Sequence, residues 1–196
     1  YFGGKIKTKK TENGYAHYVQ GLQELKPQEV TVPSDPSSAS FFIAAALMVE
    51  GSDITIKNIC MNETRIGFLK VVELMGARIE VNNKKNICGE PVADLRVKHS
   101  SLRGVKVPGN LVASMIDEFP VLSVLAALAE GKTEMKEIGE LKVKESDRIL
   151  SMAKGLRQCG VEVDFGKDYM IVKGMKKVRG GKLINTFNDH RIAMSF

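Results

Sequence analysis

The chain has 196 residues, which suits one ordinary domain or slightly more. With 43% hydrophobic residues it should be globular, and no apolar run approaches the roughly 20 residues that a bilayer-spanning helix needs. The formal charge of +6 raises the hypothesis of a nucleic-acid-binding module, but the lysines cluster near predicted turns and no aromatic residues alternate with them. Solvated turns and small anionic ligands are the other accounts of this charge.

The cysteines and the chain ends indicate the setting of the protein. Cys60, Cys88 and Cys159 are far apart and odd in number, which favours buried thiols in a reducing cytosol over disulfides or a zinc site. The chain begins at Tyr1, without an initiator Met, and stops at Phe196 inside an apolar pattern. We therefore expect a fragment of a longer protein.

Three predicted helices share one design. Residues 34–40 are polar and lead into the apolar run 41–49, residues 116–120 lead into 121–129, and residues 188–194 open a helix near the chain end. Each helix begins with Asp and polar residues, whereas the bodies are apolar nearly all round. Such bodies are typical of buried core helices.

The chain also repeats itself. Residues 50–59 predict a turn and an alternating strand, and residues 130–138 repeat this pattern. Each copy continues with a polar stretch, an amphipathic helix, a Gly at the helix end and another alternating strand. Arg65 in the first copy occupies the place of Arg148 in the second, so the scaffold itself could favour an Arg there. The predicted unit is βαβαββ, and residues 2–7 look like the tail of a further copy.

The most unusual stretch is residues 142–149, in which five of eight residues are charged. An amphipathic helix follows at once, so these charges lie at a helix N-terminus, where backbone N–H groups are unpaired and the dipole is positive. Lys144 and Arg148 add positive charge, and the Glu145 carboxylate among them could move a proton. This pattern predicts an anion-binding site.

Rotational symmetry between the repeats would bring the helix N-termini together on one face. Lys144, Arg148 and Arg191 would then point at one anionic ligand, together with several helix dipoles. The residues alone therefore predict a phosphate or carboxylate site.

Structural interpretations of the same residues remain open. Ser146 or Asp147 could cap a helix surrounded by solvated charges. Asp117 could be an N-cap, and Arg191 could be a surface residue paired with Asp189.

Four motifs together identify a known family. They are Ser-Asp-Pro-Ser-Ser-Ala-Ser-Phe-Phe at residues 34–42, Ile-Asp-Glu-Phe-Pro at 116–120, Lys-Glu-Ser-Asp-Arg at 144–148 and Asn-Asp-His-Arg-Ile-Ala-Met at 188–194. In this order and spacing the chain resembles the 5-enolpyruvylshikimate-3-phosphate (EPSP) synthase family over essentially its whole length. The combination of the last two motifs is the specific part of the match.

The resemblance implies an α/β (α+β) fold of the inside-out barrel type, in which two domains of repeated βαβαββ units close on a cleft. Residues 1–33 would be the end of the first domain and the crossover. Residues 34–196 would be the second domain, truncated in its third unit. The implied reaction transfers the enolpyruvyl group of phosphoenolpyruvate to the 5-hydroxyl of shikimate 3-phosphate and releases phosphate.

The resemblance also implies residue roles. Asp117 resembles the residue that binds the shikimate hydroxyls and accepts a proton, and Glu145 resembles the second acid/base carboxylate. Lys144 resembles the lysine at the 3-phosphate, and Arg148 and Arg191 resemble the arginines that clamp phosphoenolpyruvate.

Other implications of the family concern the wall and the extent of the site. His190 resembles a residue of the site wall. Lys142 departs from the Arg of many relatives, which keeps the charge and loses the fork-shaped donor. Further cationic site residues of the family lie outside this chain.

The implied partners are small anionic substrates, with no cofactor, metal, nucleic acid or membrane. The full-length enzyme is expected to be a cytoplasmic monomer, and the fragment alone is expected to be inactive. Two alternatives remain, namely UDP-N-acetylglucosamine enolpyruvyl transferase and a basic nucleic-acid-binding or RNA-end-processing module.

Overall fold

A computed structural model describes residues 2–196 of the chain. The five α-helices are α1 Pro36–Met48, α2 Gly67–Leu74, α3 Phe119–Leu128, α4 Arg148–Gln158 and α5 His190–Ser195. The eight strands are β1 Ile6–Thr11, β2 Gly14–Val19, β3 Asp53–Cys60, β4 Arg78–Ile87, β5 Glu90–Lys98, β6 Lys132–Met135, β7 Glu162–Phe165 and β8 Met170–Lys173. Two 3₁₀ segments, Gly109–Glu118 and Gly139–Val143, precede α3 and α4.

The predicted repeat is confirmed by the sheet topology. Two three-stranded antiparallel sheets have the orders β3-β5-β4 and β6-β8-β7, so the second copy matches the first strand for strand. A single parallel bridge precedes α1 and another precedes α3. Ser34, ahead of α1, pairs with Ile59 of β3, and Lys106, ahead of α3, pairs with Glu134 of β6. Each unit is therefore βαβαββ, with its first strand reduced to a bridge.

Helix α3 lies at the centre of the core. It packs against α1, α4, α5 and β8, and its body is buried on nearly all sides, as its composition predicted. Its one polar side chain, Ser123, donates its hydroxyl to the Pro120 carbonyl at 2.6 Å, so no buried donor is lost there. The contacts of α3 with these four elements hold its start at a fixed place in the molecule.

Helix α1 differs from this prediction of all-round burial. Its inner face is buried, but Phe42 on its outer face is 66% exposed. An all-apolar composition predicts burial without indicating which face the neighbouring elements cover.

The segment Gly109–Leu128 has the length and hydropathy of a membrane-crossing helix, which the sequence alone did not indicate because Asp117 and Glu118 interrupt the apolar run. It differs from one in its structure, because Met115 has a non-helical backbone and 61% of the apolar window is buried inside the fold. The burial is typical of a core helix, and the kink at Met115 separates the segment into two shorter helices.

The prediction of three buried thiols was correct for Cys159 and wrong for Cys60 and Cys88, which are partly exposed. Cys60 ends β3 and Cys88 occupies the turn between β4 and β5, where the side chains meet solvent. All three are free thiols.

Strands β1 and β2 form a separate two-stranded sheet whose residues are nearly all exposed. They precede the repeat units and share no sheet with them. The division at residue 33 stays a prediction.

Candidate functional site

The starts of three helices meet at one guanidinium group, that of Arg148 in the first turn of α4. Its Nη1 donates to Asp117 Oδ1 at 3.0 Å, its Nη2 to Glu145 Oε2 at 2.5 Å and its Nε to Asp189 Oδ2 at 2.8 Å. Asp117 precedes α3, Glu145 precedes α4 and Asp189 precedes α5. The predicted convergence of helix N-termini is therefore confirmed for α3, α4 and α5.

Arg148 is buried, whereas two of its three carboxylate partners reach solvent. The Arg148 side chain is 1% exposed and that of Asp189 is 0% exposed, but Asp117 and Glu145 are 37% and 50% exposed. The carboxylates proposed for proton transfer thus lie at the surface, with the guanidinium beneath them.

Burial and ion pairing shift the pKa values of Arg148 and Asp189 in opposite directions. Burial alone would lower the pKa of Arg148, but the hydrogen bond and charge of Asp189 raise it above its usual value. Burial alone would raise the pKa of Asp189, yet hydrogen bonds from Arg148, Ser146 and the Arg191 amide leave it below its usual value. Both groups are therefore held in their charged forms.

Arg191 is the second cation of the cluster, and its side chain is 17% exposed. Its contacts are long, at 3.4 Å from Nη1 to the Asp117 carbonyl, 3.6 Å from Nη2 to Asp117 Oδ2 and 3.9 Å from Nη1 to Glu118 Oε1. Arg191 is therefore less committed to protein partners than Arg148, which makes it the better placed of the two to receive an anion.

Two predicted site residues stand apart from this cluster in their contacts. Lys144 donates to Glu140 at 2.6 Å, and its side chain is 24% exposed. His190 is exposed at the start of α5. Lys142 lies 4.0 Å from Asp147.

The capping interpretations can be compared with the observed bonds. Asp147 caps α4 through the Leu150 amide, so a cap is present, but the neighbouring Arg148 is not solvated. Asp117 is not the cap of α3, because that helix begins after Glu118 and Asp117 binds Arg148 instead. The Arg191 side chain does not form a surface ion pair with Asp189. Instead, the backbone N–H of Arg191 donates to the Asp189 carboxylate at 2.9 Å.

The sequence did not identify two acidic residues of the cluster, Asp189 and Glu118, as members of the site. Asp189 was treated as a surface partner and Glu118 as part of a motif, although each is adjacent to a predicted site residue. Glu118 is 4% exposed, and burial raises its pKa despite a hydrogen bond from Ser37 and the charge of Arg191. Adjacency to Asp117 or Arg191 was the available signal, but it does not indicate which side chain turns inward.

The cluster contains more carboxyl groups than guanidinium groups. Asp117, Glu118, Glu145 and Asp189 face Arg148 and Arg191, so four carboxyl groups meet two guanidinium groups. Within residues 2–196, no group of three or more His, Cys, Asp or Glu side chains is arranged to hold a metal ion.

Comparison with known proteins gives a consistent family. The family model for EPSP synthase (3-phosphoshikimate 1-carboxyvinyltransferase) matches residues 1–196. Curated 3-phosphoshikimate 1-carboxyvinyltransferases from Cereibacter sphaeroides and Paracoccus denitrificans are 50% and 52% identical over 195 residues. These matches cover 100% of this chain and 44% of each relative, so the chain spans less than half the length of the relatives.

Solved structures agree with the sequence relatives. EPSP synthase from Acinetobacter baumannii superposes with a TM-score of 0.89 at 40% identity, over 99% of this chain and 44% of that one. The enolpyruvyl transferase NikO from Streptomyces tendae superposes with a TM-score of 0.63 at 17% identity, over 88% of this chain and 37% of that one. The second likeness shows a shared fold alone.

Proposed function

Because the chain belongs to the EPSP synthase (3-phosphoshikimate 1-carboxyvinyltransferase) family, we propose that it forms most of the C-terminal domain of a full-length enzyme with that activity. This enzyme transfers the enolpyruvyl group of phosphoenolpyruvate to the 5-hydroxyl of shikimate 3-phosphate. The observation that carries the proposal is the joining of Asp117 and Glu145 by Arg148, because it places two solvent-accessible carboxylates beside a buried cation.

The chemistry needs two proton transfers in its first step. The 5-hydroxyl oxygen bonds to C2 of phosphoenolpyruvate and loses its proton to Asp117, while C3 gains a proton from Glu145 in its acid form. Loss of phosphate and of a C3 proton from this tetrahedral intermediate then restores the double bond. A base and an acid close to the reacting atoms serve such a sequence.

The anionic ligands need fixed cations. Arg191 and Arg148 bind phosphoenolpyruvate, and Lys144 binds the 3-phosphate. The long contacts of Arg191 support its role, because its N–H groups can exchange them for shorter bonds to a carboxylate or phosphate. Arg148 can do the same by releasing its exposed partners Asp117 and Glu145. His190 forms part of the wall.

Lys144, Arg148 and Arg191 supply three cations, and the four carboxyl groups around the two arginines offset them, so these residues do not suffice to hold two anions unaided. Additional cations therefore come from parts of the enzyme outside this chain. The full-length enzyme is a cytoplasmic monomer that takes small anionic substrates and binds neither nucleic acid nor membrane.

The test is phosphate release by the full-length enzyme with phosphoenolpyruvate and either shikimate 3-phosphate or UDP-N-acetylglucosamine. Turnover with shikimate 3-phosphate alone is the expected result. Turnover with the nucleotide sugar would show that UDP-N-acetylglucosamine is the acceptor in place of shikimate 3-phosphate. Inactivity with both would contradict the proposal. Salt-sensitive oligonucleotide binding by an inactive protein would instead favour the basic-module alternative.

A further inference from the structure

We propose that Asp189 is a positioning residue for this reaction, one whose buried carboxylate orients Arg148 and holds the start of the helix that carries Arg191. The proposal rests on the proposed function, in which these two arginines receive phosphoenolpyruvate.

The first support is the geometry of the Asp189–Arg148 pair. Asp189 Oδ2 accepts from Arg148 Nε at 2.8 Å, and Oδ1 lies 3.4 Å from Nη2, so the carboxylate meets the guanidinium side-on. Neither side chain is more than 1% exposed. The other two partners of Arg148 reach solvent and can leave when an anion arrives, whereas Asp189 has no route to water.

The second support is the number of segments that hydrogen-bond to the Asp189 carboxylate. Oδ1 accepts the Arg191 N–H at 2.9 Å as the cap of α5, and Oδ2 accepts the Ser146 hydroxyl at 3.0 Å. Asp189 therefore joins the loop before α4, the first turn of α4 and the first turn of α5. A shift of its side chain moves both arginines together.

The negative charge at this position does more than cap a helix. Asp147 caps α4 without an arginine partner. Asp35 caps α1 and pairs with Arg65, but these two side chains are about half exposed, at 45% and 52%, whereas Asp189 and Arg148 are buried. Without the charge of Asp189, Arg148 would be held by Asp117 and Glu145 alone, the two groups that the reaction needs for proton transfer. Asp189 thus balances Arg148 while leaving those carboxylates available.

The experiment compares Asp189→Asn with the wild type in the full-length enzyme. Asn retains an acceptor for the helix cap but loses the charge that anchors Arg148. We expect the KM for phosphoenolpyruvate to rise about 10- to 100-fold, because a misplaced clamp loses much of its effect. The KM for shikimate 3-phosphate should rise less than that for phosphoenolpyruvate, since Lys144, the proposed ligand of the 3-phosphate, bonds to Glu140 and not to Asp189.

The matched control is Asp53→Asn, which removes a bidentate Asp–Arg pair on the exposed surface. Asp53 accepts from Arg96 Nε at 2.8 Å and Nη2 at 2.6 Å on strands outside the site. Both KM values should stay at the wild-type level in this variant. Asp189→Glu keeps the charge, so its KM for phosphoenolpyruvate should lie closer to the wild type than that of Asp189→Asn.

The outcomes separate the two proposals. An inactive wild-type enzyme would contradict the proposed function. An active wild type whose Asp189→Asn variant has a lower Tm but an unchanged KM for phosphoenolpyruvate would assign Asp189 a structural role only. Equal increases in both KM values, or a Glu variant no better than the Asn variant, would likewise overturn the positioning role.

Discussion

The carboxyl group of Glu118 lies beside the guanidinium of Arg191 at ion-pair distance but without a hydrogen bond to it. The distance from Glu118 Oε1 to Arg191 Nη1 is 3.9 Å, and this oxygen has no hydrogen-bond partner within the described part of the chain. Glu118 is also 4% exposed, so its ionised form is poorly solvated. This buried acid therefore makes the stability of the fold depend on pH.

The first prediction concerns Glu118→Gln. Burial raises the pKa of Glu118, so its contribution to stability is present below the usual Glu range and is lost as pH rises through the folded-state pKa. Gln does not titrate, and we expect the Tm of the variant to rise relative to wild type between about pH 4 and pH 8. Thermal unfolding at several pH values measures this.

The control for that experiment is Glu162→Gln, at an exposed residue whose pKa the Lys173 ion pair lowers. Here the sign reverses, because the wild-type pair stabilises the fold above the usual Glu pKa and is lost as pH falls. The relative Tm of this variant should fall as pH rises. If the relative Tm of both variants changed with pH in the same direction, the raised pKa of Glu118 would be contradicted.

The second prediction concerns Glu145→Gln in the full-length enzyme. Loss of a general acid should lower kcat by about 10²- to 10⁴-fold, with much smaller changes in KM. Steady-state kinetics measure both, with Glu73→Gln on the exposed face of α2 as the control. A near-normal kcat would remove Glu145 from proton transfer.

The third prediction is that the 196-residue chain alone does not release phosphate from phosphoenolpyruvate, with or without shikimate 3-phosphate. The excess of carboxyl groups in the cluster disfavours anions, so we also expect Kd values above about 1 mM by calorimetry. Measurable turnover by the chain alone would show that these residues suffice.

The fourth prediction tests the packing between the second repeat and the segment that follows it. A Cβ on Gly174 would lie 1.6 Å from the Ala129 carbonyl oxygen, which the backbone cannot accommodate without moving. Gly174→Ala should therefore lower the free energy of unfolding by about 3 kcal/mol or more. Gly180→Ala is the matched control, because its Cβ would meet no atom within 4 Å. Equal stability of the two variants in urea titrations would contradict the observed contact.

Local features of the sequence were sufficient to predict the repeat, the helix starts and the family. Alternation along strands, apolar spacing along helices and Gly at helix ends are properties of neighbouring residues, so they are visible without a fold. The same is true of the charged stretch 142–149, and its link to the other helix starts followed from the repeat.

The long-range partners of Arg148 were decided by tertiary structure. Asp117, Glu145 and Asp189 meet on Arg148 because α3, α4 and α5 pack with their N-termini together, at separations of 31, 3 and 41 residues from that arginine. A capping Asp and an Asp that also anchors a buried Arg look alike in sequence, since both precede a helix. The sequence thus determined which residues stand at the helix starts, and the packing of the helices determined which of them became buried, because burial depends on distant neighbours.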